Sequence, residues 1–114
     1  MSGMSKVVVV DNGERRADHS LSVELAELGY ASVTTTVEAT DDVLSIISPA
    51  AIVIQLPDRA DAVFMALAER LRRTQGKAGV PVILVDRKRS VQSGGYASLL
   101  ASEFASNAVS KPDL

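Results

Sequence analysis

The sequence predicts an α/β fold of three layers, a parallel five-stranded sheet between two layers of helices, in one domain spanning residues 1–114. Three observations predict it. Short apolar, β-branched runs alternate with segments of helical spacing, the order expected of βαβ units. The runs are apolar at consecutive positions rather than at every second one, as in strands buried on both faces. The connections are short, which favours right-handed crossovers onto a common sheet.

The first strand is Lys6–Val10, made almost wholly of valine. Glu14–Leu28 then places Ala17, Leu21, Leu25 and Leu28 on one face of a helix, and Gly29 follows where a left-handed C-terminal cap is expected. Ser32–Val37 reads as the second strand. Thr40 reads as the N-cap of a second helix, with Asp41 and Asp42 in its first turn, where the helix dipole favours anions. That helix carries Val43, Leu44, Ile46 and Ile47, and Pro49 marks its end. Ala50–Leu56 is the third strand. A helix from Asp61 to Arg73 buries Phe64, Leu67, Ala68 and Leu71, and collects Arg70, Arg72 and Arg73 at its C-terminal end. After a polar loop, Thr74–Gly79, the fourth strand is Val80–Val85. The cationic run that follows reads as a solvated loop. Beyond Gly94-Gly95, Tyr96, Leu99, Leu100 and Phe104 form a helical stripe, and Asn107–Ser110 is a weak fifth strand.

Composition removes several functions. Twelve basic residues stand against 14 acidic ones, a net charge of −2, which argues against DNA or a membrane surface as partner. There is no cysteine, so disulfides and thiolate metal sites are excluded. His19 is the only histidine, too little for a transition-metal centre. No nucleophile elbow or phosphate-binding glycine loop is present, and Gly94-Gly95 reads as a turn. No apolar run is long enough to cross a bilayer, and Met1–Ser5 has none of the regions of a signal peptide, so a cytoplasmic location is expected.

Open α/β sheets bind ligands beyond the carboxyl ends of their strands. Those ends read Asp11-Asn12, Gln55, Asp86 and Lys111-Pro112. With Val7-Val8-Val9-Val10-Asp11 at the start and Ser110-Lys111-Pro112 at the finish, this order resembles a bacterial response-regulator receiver domain, flavodoxin-like in topology. The resemblance covers Lys6 to Pro112. It implies an acidic pair holding Mg²⁺ after the first strand and a phosphorylated aspartate after the third. It also implies Ser or Thr after the fourth strand and a lysine that contacts the phosphoryl group.

The departures from that pattern decide the expected function. Gln55 stands at the phosphoacceptor position, and a neutral amide forms no acyl phosphate and gives a metal no carboxylate. Asn12 replaces the second acidic residue. Asp86 replaces the hydroxyl residue, and Ala108 falls where the family has a switching aromatic ring. What remains is expected to be an ion-pair cluster of Asp11 and Asp86 with Lys111, holding no metal and no cofactor. The resemblance therefore implies a pseudo-receiver. It would be a phosphorylation-independent interaction or regulatory module in two-component signal transduction, not an enzyme, with a sensor kinase or an attached output domain as partner.

A second surface competes with that reading. Arg87, Lys88 and Arg89, followed by Tyr96, offer cations for a phosphate and a ring for a base. The alternative is a receiver-like sensor of a cyclic dinucleotide. Leu56-Pro57-Asp58-Arg59 is also similar to the N-terminal domain of antiterminator-type regulators. Finally, receivers carry one more helix after the Lys-Pro pair. Its absence is expected to mark a fragment of a longer signalling protein. It is also expected to bare an apolar flank beside the first helix, through which a homodimer forms.

Overall fold

The computed structural model describes residues 5–11, 21–56 and 62–109. Strands β1 (Lys6–Val10), β2 (Ala31–Thr35), β3 (Ala51–Gln55) and β4 (Val82–Val85) form one parallel sheet in the order β2-β1-β3-β4. Helices α1 (Leu21–Glu27), α2 (Thr40–Ile46), α3 (Ala62–Gly76), α4 (Arg87–Gln92) and α5 (Tyr96–Ser106) complete the described elements. The parallel three-layer α/β architecture is as expected. The sheet has four strands among the described residues rather than five.

Alternation along the strands explains why their sequences are apolar throughout. Val7, Val9, Val53 and Val85 point to one face and pack against Leu21 and Leu25 of α1 and Leu99, Leu100 and Phe104 of α5. Val8, Val10, Ile52 and Ile54 point to the other, against Phe64, Leu67 and Leu71 of α3, with Val43 and Leu44 of α2 beside them. Both faces are covered. Each fully buried Leu or Ile in these layers is worth about 1.5–3 kcal/mol relative to exposure.

Four helices end with the same pair of backbone bonds, in which the two residues past the cap donate back into the last turn. Tyr30 N–H reaches Leu25 O and Gly29 N–H reaches Ala26 O, at 2.9 and 3.0 Å. Gly29 is left-handed as expected, with φ 92°. Gly79 and Gly94 take the same position after α3 and α4. After α5 the position falls to Ala108, at φ 55°, with Val109 N–H on Phe104 O. An L-residue with a Cβ is strained in that region.

This cap corrects the expected fifth strand. Of Asn107–Ser110, the described residues 107–109 turn back onto the end of α5, and Val109 packs against the core. Ala108 is thus a cap residue and no strand position, and Ser110 lies outside the described residues. The end of α5 also lies at the amino-terminal end of the sheet. Phe104 meets Tyr30 edge-on, with ring centroids 5.0 Å apart, and Tyr30 directly precedes β2, whose first residue pairs with Lys6. Burial pushes the Tyr30 hydroxyl above its ordinary pKa.

Two further expectations change. The flank said to be bare beside α1 is covered, because α5 packs there through Leu99, Leu100 and Phe104. The surface argument for a homodimer through that flank falls with it. Thr40 is the first residue of α2 and not its cap. Ala39 occupies the cap, its N–H donates to the Thr36 hydroxyl at 3.2 Å, and the buried Thr40 hydroxyl donates to Thr36 O at 2.7 Å. The early half of the first expected helix, with His19, lies outside the described residues, as do Asp58, Arg59 and Asp61.

Candidate functional site at the strand carboxyl ends

Strand order sets where the site lies. From β1 the chain crosses to β2 on one side and returns past β1 to β3 on the other, so the crevice between β1 and β3 is the switch point of the sheet. Val10 pairs with Ile54, so Asp11 and Gln55 follow side by side at the mouth of that crevice. Gln55 pairs with Val85, which puts Asp86 immediately after the end of β4. The structure thus brings Asp11, Gln55 and Asp86 to one end of the sheet. Asn12 and Lys111 lie outside the described residues. The strand expected to deliver Lys111 is not formed by residues 107–109.

The three polar groups are held differently. Asp11 is buried, and its N–H donates to Thr35 O at 2.9 Å, extending the β1–β2 ladder by one bond. Gln55 is half-buried. Its amide brings one acceptor and two donors to the crevice and no negative charge. Asp86 has extended backbone and caps α4, its carboxylate accepting from the Arg89 N–H at 2.7 Å. That role was not read from the sequence, which assigned Asp86 only to the pocket.

The cationic surface also differs from expectation. Arg87, Lys88 and Arg89 belong to a helix, not to a loop. Arg87 and Lys88 are exposed, whereas Arg89 is half-buried. Its guanidinium donates to Leu84 O at 2.6 Å and pairs with the Glu103 carboxylate on α5. Asn107 donates to Glu103 in turn, at 3.3 Å. Tyr96 is half-buried against the α1–α5 core layer. No spacing rule links positions 89 and 103, so the pair left no signal in the sequence.

The described strand ends bring together the carboxylates of Asp11 and Asp86 and the amide of Gln55, and the Asp86 carboxylate caps α4. No cluster of three or more His, Cys, Asp or Glu that could hold a metal occurs among the described residues. No described helix is long and apolar enough to cross a membrane. No protein-family model, curated protein or solved structure matches the chain.

Proposed function

We propose that this chain is a receiver-like domain without a phosphoacceptor, a cytoplasmic module of two-component signalling that acts by binding a protein partner. The observation that carries the reading is Gln55. It stands beside Asp11 at the mouth of the switch-point crevice, where phosphotransfer requires a nucleophilic carboxylate. The cap formed by Asp86 supports it, because that carboxylate serves α4 and leaves no hydroxyl for a phosphoryl oxygen. The partner proposed is a sensor kinase or an output domain attached to this one.

The alternative, a sensor of a cyclic dinucleotide, draws less support. Of its four residues, Arg89 is bonded to Leu84 O and Glu103, and Tyr96 packs against the core. Only Arg87 and Lys88 are exposed.

Treatment with acetyl phosphate and Mg²⁺, followed by intact mass measurement, tests the reading. The expected result is no added phosphate on the wild-type chain. Gln55→Asp alone is also expected to stay unlabelled, because Asn12 still weakens the metal site and Asp86 adds a like charge nearby. A stoichiometric, acyl-type phosphate on the wild type would overturn the proposal.

A further inference from the structure

Helices α2 and α3 cover the same face of the sheet. Each follows one parallel strand and leads into the next, so both run from the carboxyl ends of the strands toward the amino-terminal ends. Their outer surfaces differ in charge. Helix α2 exposes Asp41 and Asp42 and carries no cation. On α3, the exposed Arg70 and Arg73 stand at helical spacing and share one line, which Lys77 continues just past the helix end. Glu69, the acidic residue of α3, sits about 100° around the helix from Arg70. The ion pair of Arg70 with Asp41 sets the two rows at one height. Asp42, Arg73 and Lys77 have no ion-pair partner among the described residues.

An acidic row beside a parallel basic row is a self-complementary surface. A two-fold axis running between the rows and along them lays the α2 of each copy on the α3 of the other and keeps every residue at its own height. Asp42 of one copy then meets Arg73 of the other. The two-fold at right angles to the helices would instead set acid on acid and base on base, which is unfavourable. Ile46 adds an apolar contact. It is 84% exposed, the most of any large hydrophobic among the described residues. It lies as far beyond Asp41 as Gln75 does beyond Arg70, hence between the heights of Arg73 and Lys77. The methylene stems of those two side chains are apolar surface for it to cover.

We propose that the α2–α3 face pairs with the same face of a second copy, α2 of each against α3 of the other. Two helices of 7 and 15 residues offer less than the roughly 800 Å² per partner of a stable complex. The association is therefore weak and concentration-dependent. Because it joins exposed charges, it weakens as salt is added.

Sedimentation across a concentration series, at low and high salt, tests this with the wild type, Arg73→Glu, Asp42→Lys, the double variant and an equal mixture of the two single variants. The wild type is expected to dimerise. Each single variant sets like charges against each other at both contacts and is expected to associate at least about tenfold more weakly. The double variant and the mixture are expected to recover most of the loss, because position 42 of one copy again meets an opposite charge at position 73 of the other. Ile46→Ser is expected to weaken the dimer without changing its charge, and it decides the matter if a charge variant does not fold by far-UV circular dichroism. A wild type that stays monomeric to millimolar concentration overturns the proposal and leaves the face to a different partner. Association that the single variants leave unchanged also overturns it. So does a loss that neither the double variant nor the mixture recovers, since positions 42 and 73 then do not meet.

Discussion

The switch-point crevice and the corner formed by β4, α4 and α5 both present an aspartate at a strand end, but the two residues are held in place differently. Asp11 follows a central strand that has a neighbour on each side, and its N–H extends a ladder already in place. Asp86 follows the last described strand of the sheet, and its side chain starts a six-residue helix. In the centre, position is dictated by apolar burial on both faces. At the corner it is dictated by a few polar bonds, chiefly those of Asp86 and Arg89. The difference explains why the residues at the centre are placed by their strands and those at the corner by their own hydrogen bonds.

The largest effects are expected in the core. Ile52 in β3 and Leu100 in α5 are both fully buried, one in each helix-covered layer. Replacing either with alanine is expected to cost about 2–5 kcal/mol in denaturant unfolding. A cost for Leu100→Ala below about 1 kcal/mol would mean that α5 does not cover the flank beside α1. At the corner itself, Asp86→Ala should cost about 1 kcal/mol through loss of the cap. Asp86→Thr should recover most of it, since threonine also caps. Equal losses for both substitutions would show that the Asp86 charge, and not its hydrogen bond, matters.

Much of this division was visible in the residues. The β-branched runs located the four described strands, the first with its bounds unchanged and the others with ends displaced by up to two positions, because burial on both faces leaves a continuous apolar signature. Gly29 marked its cap for the same kind of reason: a left-handed residue is written as glycine. The corner was less legible. Arg87–Gln92 has one buried residue, so no apolar period betrays it as a helix. Asn107–Ser110 looked like a strand because the left-handed position after α5 is filled by Ala108, which carries no turn signal. Of the site, Asp11 and Gln55 were placed by simple strand ends, whereas the bonds of Asp86 and Arg89 depend on how elements distant in sequence meet.

Two smaller effects sharpen the contrast. Ala108→Gly is expected to stabilise the chain by about 0.5–1 kcal/mol, since glycine takes the left-handed cap without the Cβ clash. A destabilised variant would contradict the cap geometry. The ion pair of Arg70 with Asp41, 2.9 Å long between two exposed side chains, should matter least. Arg70→Ala is expected to change stability by about 0.2–0.5 kcal/mol, and less at high salt. A larger loss would place that pair alongside the half-buried Arg89–Glu103 contact, which the burial of Glu103 argues against.

The most direct test of the central claim is a backbone-amide NMR titration of the wild type with Mg²⁺ and beryllofluoride, a mimic of the phosphoryl group. No saturable shift is expected at Asp11, Gln55, Asp86 or Arg89, because position 55 lacks the carboxylate that the mimic must bond. Saturable shifts converging on Asp11 and Gln55 would show a pocket still able to take a phosphoryl group, and would contradict that claim.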